Sequence, residues 1–135
     1  SGAAPQDGYE QVDFDTLLAA SDIISVHAPL NEYTENLMNK EAFAKMKSSA
    51  IFLNVGRGPI VVEQDLFEAL ESGELAAAGL DVLCKEPIAA DNPLLQIKDS
   101  RKLLITPHIA WASVEARDRL VQMVLEQVQE YAKTR

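Results

Sequence analysis

The chain has 135 residues, 47% of them hydrophobic, which suits one domain with a modest core. Twelve Lys and Arg against 21 Asp and Glu give a formal charge of −9 and a pI of about 4.6, which argues against binding phosphate backbones, a task that needs clustered cations. No apolar run is long enough to span a bilayer, no basic-then-apolar leader opens the sequence, and Cys84 stands alone. The expectation is a cytoplasmic protein with no internal disulfide, no metal, and no nucleic-acid or membrane partner.

Residues 1–11, "SGAAPQDGYEQ", read as a polar lead-in. "DFDTLLAAS" follows as a short helix with Asp15 or Thr16 as N-cap. "DIISVH" (22–27) is an apolar, β-branched strand that runs into the polar loop "APLNEYTEN". Residues 39–46 form a helix capped by Asn39, with Leu37, Phe43 and Met46 on one side. "AIFLNV" (50–55) is the second strand. The helix over 63–73 turns Leu66, Phe67 and Leu70 inward and stops at Gly73. "LAAAGLDV" (75–82) is a third strand whose small residues imply close packing. "NPLLQI" makes a short helical turn and "KLLIT" (102–106) a fourth strand. A long amphipathic helix over about 113–132 carries Val121, Val124, Leu125, Val128 and Tyr131 at helical spacing, with Ser113 as N-cap.

Strands alternate with helices, and the strands are continuously apolar. That pattern implies an α/β fold with a parallel sheet covered on both faces. Right-handed crossovers then bring the C-terminal ends of all four strands to one rim, where open α/β sheets bind ligands. Each strand delivers a polar group just past its end: His27-Ala28-Pro29, then Gly56-Arg57-Gly58, then Asp81 with Glu86, then His108. Taken singly these are unremarkable. A strand-end Arg is usually a solvated turn residue, a lone His is usually structural, Glu86 is a charged loop residue, Asp81 can cap a turn, and Cys84 is incidental. "GRG" by itself is neither a dinucleotide fingerprint nor a P-loop. Together at one rim they make a chemical set. Arg holds a carboxylate with a planar fork of donors. His exchanges a proton near neutral pH, and a carboxylate beside it fixes the tautomer and favours the protonated ring.

"SDIISVHAPLNEYTENLMNKEAFAKMKSSAIFLNVGRGPIV", "AAGLDVLCKEP", "NPLL" and "ITPHIAWAS" resemble the D-2-hydroxyacid dehydrogenase family in order and spacing, from about Asp15 to the last helix. The resemblance implies a partial Rossmann-type doubly wound sheet with a long C-terminal helix. It also implies reduction of small 2-oxo acids to D-2-hydroxy acids with NAD, or NADP, as cofactor, in a homodimer. By the same resemblance, Arg57, Glu86 and His108 are catalytic: Arg57 binds the substrate, Glu86 is the paired acid and His108 the histidine. Asp81 receives the nicotinamide carboxamide. His27, Ala28, Pro29, Val55, Gly56, Arg57, Asp81, His108, Ala110 and Trp111 line the cofactor. The glycines flanking Arg57 then read as clearance for a nicotinamide ring. Trp111 points to the glycerate (hydroxypyruvate) dehydrogenase branch, and the corepressor relatives of the family share it. An alternative within the same fold is therefore a nucleotide-sensing, corepressor-like binding module.

Val62 stands where the family often has a helix-capping Asp, a change costing about 1 kcal/mol of helix stability. The chain contains no G-x-G-x-x-G. Residues 1–135 are accordingly expected to be the C-terminal portion of a dinucleotide-binding domain plus its terminal helix. The glycine-rich half and the N-terminal part of a substrate domain would lie elsewhere, and the piece alone would be inactive.

Overall fold

A computed structural model describes residues 8–134; most of the polar lead-in, residues 1–7, lies outside the described residues. The elements follow in the order α1 (Phe14–Ala20), β1 (Ile23–Val26), α2 (Lys40–Lys45), β2 (Ile51–Asn54), α3 (Glu63–Ser72), β3 (Ala77–Leu80), β4 (Leu103–Ile105) and α4 (Val114–Lys133). Short 3-10 turns occupy Gly58–Ile60 and Pro93–Gln96. The four strands form one parallel sheet in the order β1-β2-β3-β4, with Phe52 registered against Ile24 on one side and Ala78 on the other. This is the Rossmann-like α/β architecture expected.

Helix boundaries follow local chemistry. Asn39 caps α2 by accepting the Ala42 N–H, and Ser113 caps α4 by accepting the Ala116 N–H. Gly73 ends α3 in the left-handed conformation at φ 83°, which an L side chain resists. The cap of α1 is Asp13 rather than Asp15 or Thr16. Its Oδ1 accepts the Thr16 N–H at 2.9 Å and its Oδ2 the Thr16 hydroxyl at 2.7 Å. These bonds hold the Asp13 carboxyl below its ordinary range.

Because strand order equals chain order, right-handed crossovers place α2 and α3 on the same face of the sheet. The core lies there. Leu18, Met38, Phe43, Phe52, Ile60, Leu66, Leu70 and Leu75 are fully buried. Phe43 meets Phe52 edge to face with centroids 5.5 Å apart, a geometry worth roughly 0.5–1.5 kcal/mol beyond area burial. Small residues in β3 let the strands approach: a Cβ on Gly79 would meet Leu53 Cδ2 at 2.9 Å. The opposite face differs from expectation. Ile23, Ser25, Ile51 and Leu104 are exposed while their neighbours Ile24, Val26 and Phe52 are buried, so the described residues cover one face only. Helix α4 forms as its periodicity predicts, yet buries none of its residues.

Val62 is the N-cap residue of helix α3 and makes no side-chain capping bond. Val62→Thr, nearly isosteric and able to accept an N–H, should raise the unfolding free energy by about 0.5–1 kcal/mol. A urea midpoint that does not rise would show that another group already satisfies the first turn.

Candidate active site

The site begins with a buried carboxylate. Asp81 follows β3 and is only 5% exposed. Its Oδ1 accepts the Thr106 hydroxyl at 2.5 Å and the Ile109 N–H at 2.9 Å, and its Oδ2 accepts the Ala110 N–H at 2.8 Å. Burial pushes this acid up, but the bonds from Thr106, Ala110 and Ile109 outweigh it, and the group stays below its ordinary range. The bonds gather the turn after β4 around one anion. Within that turn His108 takes a positive φ of 55°, unusual for a side-chain-bearing residue.

So placed, His108 offers Nδ1 to Glu86 Oε2 at 2.9 Å. The Leu83 N–H donates to Glu86 Oε1 at 2.9 Å. That backbone bond first, and the bond to His108 second, lower the Glu86 pKa. An ionised carboxylate only accepts, so Nδ1 carries the hydrogen and Nε2 is the ring nitrogen left for other work.

Arg57 is presented by Asn54, which is fully buried at the end of β2. The Asn54 side chain accepts the Gly56 N–H and donates to the Arg57 carbonyl, both at 3.0 Å, using both halves of its amide. The Arg57 guanidinium turns one N–H onto the Gly56 carbonyl at 2.8 Å. Among the described residues no carboxylate pairs with it, so most of its donor fork is unclaimed.

These groups meet. A cavity of ≈330 Å³ is lined by His27, Val55, Arg57, Asp81, His108, Ala110 and Trp111. Glu86 stands behind His108 in an adjoining, mostly apolar cavity of ≈550 Å³ walled by Leu83, Pro87, Ile88 and Ile105. His27 bonds Ser25 Oγ at 2.9 Å, and the Trp111 indole donates to the His108 carbonyl at 2.7 Å. Three anticipated positions do not line the cavity. Pro29 lies in the loop beyond β1, where its carbonyl accepts the Thr34 hydroxyl at 2.6 Å. Ala28 packs against the core. Gly56 faces Ala28, whose carbonyl a Cβ would meet at 3.1 Å. A Cβ on Gly58 would overlap the Leu83 carbonyl and the Cys84 nitrogen, so this glycine admits a neighbouring backbone. Burial, then the charge and hydrogen bond of Glu63, push the Cys84 thiol up to about 11, which keeps it protonated near neutral pH.

Sequence reasoning passed over Asn54 and Thr106. The one legible signal was a lone amide inside "IFLNV", where a buried polar group must have partners.

The chain matches, over residues 2–110, the family described as D-isomer specific 2-hydroxyacid dehydrogenase, NAD binding domain. It belongs to that family. A hydroxypyruvate reductase of Blautia hydrogenotrophica is 52% identical over 122 residues, which are 90% of this chain and 37% of the relative. An acyclic imino acid reductase solved with NADPH and D-Arg superposes with a TM-score of 0.86 at 33% identity, over 97% of this chain and 41% of that one. The NAD-complexed D-isomer specific 2-hydroxyacid dehydrogenase of Lactobacillus delbrueckii ssp. bulgaricus gives 0.79 at 32% identity, over 91% and 40%. The chain therefore spans about two fifths of the length of these relatives. The hydroxypyruvate reductase likeness agrees with the branch to which Trp111 pointed. Among the described residues no helix is long and apolar enough to cross a membrane.

The donor set fits the nicotinamide end of such a cofactor. Asp81 Oδ1 already accepts two bonds, but Oδ2 accepts one and keeps a lone pair for a carboxamide N–H.

Asp81→Asn should cost about 1–3 kcal/mol, because the amide nitrogen cannot accept the N–H it replaces. Linkage gives the sign. With the folded pKa depressed, the wild-type contribution is complete above pH 3.8 and is lost as pH falls from there through the folded value. Stability of wild type minus variant, measured by urea unfolding from pH 6 to pH 2, should shrink in that acid window. A constant difference would contradict the assignment.

Proposed function

We propose that the protein carrying this chain is an NAD(P)-dependent D-2-hydroxyacid dehydrogenase, with Arg57, His108 and Glu86 as its catalytic residues. The observation that carries this reading is the 2.9 Å His108–Glu86 pair on the same rim as Arg57, whose guanidinium meets no carboxylate among the described residues. Arg57 receives the carboxylate of a small 2-oxo acid with its fork of donors, which fixes the substrate's orientation. A nicotinamide held at this rim would supply the hydride for the carbonyl carbon. His108 gives the Nε2 proton to the oxygen as charge develops there, and its positive charge favours that charge before the proton moves. Glu86 holds the ring in one tautomer through Nδ1. The open lone pair of Asp81 takes the carboxamide, and Val55, Ala110 and Trp111 wall the cavity.

The likeness to a hydroxypyruvate reductase supports a substrate of that size: a 2-oxo acid with a short, polar third carbon. Assembly as a homodimer and residence in the cytoplasm belong to the same reading.

In the full-length protein, His108→Gln should lower kcat by roughly 10²–10⁴-fold, the usual worth of a positioned general acid, with NADH affinity retained. Arg57→Lys should raise KM for the 2-oxo acid about tenfold, because an ammonium cannot reproduce the paired donors. Steady-state NADH oxidation checks both; wild-type turnover in His108→Gln would exclude His108 as the proton donor.

A further inference from the structure

Glu86 sits in a loop without regular structure, yet its carboxylate must hold His108 to within a hydrogen bond. What holds the loop is visible at the start of α3. Glu63 Oε1 accepts the Cys84 N–H at 2.8 Å, and Glu63 Oε2 accepts a hydrogen from Asn92 Nδ2 at 2.8 Å. One carboxylate thus ties down both ends of the segment 84–92, with Glu86 between them.

The rest of the loop gives that tether leverage. Two successive backbone N–H groups are each taken by a different carboxylate: Leu83 by Glu86, Cys84 by Glu63. Their peptide planes are therefore fixed relative to both acids. At the same point Gly58, next to Arg57, lets the Arg57 turn press on the Leu83–Cys84 backbone. Asn92 is 6% exposed and uses its side-chain oxygen to accept the Leu94 N–H at 2.9 Å, so it is itself anchored. A first-turn acid on a helix ordinarily needs no explanation beyond the helix dipole. Two bonds to a segment some 20 to 30 residues away, from both of its oxygens, are not accounted for by the dipole.

We propose that Glu63 is a positioning residue for the acid–base pair, fixing the Glu86 carboxylate against His108 through Cys84 and Asn92. The inference rests on the reading of Glu86 and His108 given above. It assigns Glu63 no contact with substrate or cofactor.

The test combines a spectroscopic signature with kinetics in the full-length protein. With ¹⁵N-labelled histidine, the His108 Nδ1–H proton, assigned by its loss in His108→Gln, should lie far downfield in wild type because it donates to a carboxylate. In Glu63→Ala it should broaden into exchange with water or move upfield, and kcat should fall about ten- to a hundredfold, as expected for small misplacement of a catalytic group. KM for NADH should not change. Glu63→Gln keeps one carbonyl oxygen for one of the two donors, so it should restore part of both signals; it also serves if Glu63→Ala fails to fold. An unchanged Nδ1–H resonance with wild-type kcat in either folded variant would overturn the proposal, as would a loss of melting temperature alone. A wild type that shows the resonance and its Glu63 dependence, but turns over no 2-oxo acid, would leave the positioning role standing and remove the dehydrogenase reading instead.

Discussion

The carboxylate of Asp81 collects a hydroxyl and two backbone N–H groups from the turn after β4, and the stance of the histidine follows from that gathering. His108 has a positive φ, a backbone state that carries a cost and persists only where the surroundings over-determine it. Asp81 supplies the determination. Desolvation alone would drive such an acid toward its neutral form, whose oxygens accept hydrogen bonds less strongly. The hydrogen bonds reverse that tendency and keep the anion in place. Without this buried charge there is no fixed ring to pair with Glu86.

The rest of the site is assembled by neighbouring backbones pressing together. Parallel strands in chain order bring four strand ends to one rim, but a rim is only proximity. Position comes from side chains that engage both of their polar atoms locally: Asn54 on the Arg57 turn, Glu86 on Leu83 and His108, Glu63 on Cys84 and Asn92. Gly58 is required where the Arg57 turn meets the Glu86 loop, since a methyl group there would occupy the Leu83 carbonyl. The arginine loop and the carboxylate loop are thus one packed unit, and a disturbance in either is felt by the other.

Much of this was legible in the sequence. Short apolar runs bounded by polar loops located all four strands, and Asn39, Gly73 and Ser113 announced helix ends through their own side-chain or backbone chemistry. The rim residues could be named because topology alone brings strand ends together. What escaped depends on non-local contact. Asp13, Asp15 and Thr16 are equally good caps by type, and only the reach of Asp13 to Thr16 decides among them. A continuous apolar strand reads the same whether its second face is covered by this chain or left open, as at Ile23 and Ile51. The stripe on α4 was found by its period, which says that a face is apolar and not what meets it. No local rule tells which backbone approaches a glycine, so the contact of Gly58 with Leu83 and Cys84 was not legible. Glu63 looked like an ordinary first-turn acid.

In the proposed mechanism Arg57 and His108 address one substrate from one rim. A crystal structure of the full-length protein with NADH and oxamate tests it most directly, since oxamate has the outline of a 2-oxo acid and resists hydride addition. The expected result is the oxamate carboxylate on the Arg57 guanidinium, now released from the Gly56 carbonyl. The oxamate carbonyl oxygen should lie within hydrogen-bond distance of His108 Nε2, on the side of the ring away from Glu86. Oxamate bound with Arg57 still folded onto Gly56, or with His108 Nε2 out of reach of its carbonyl oxygen, would contradict it.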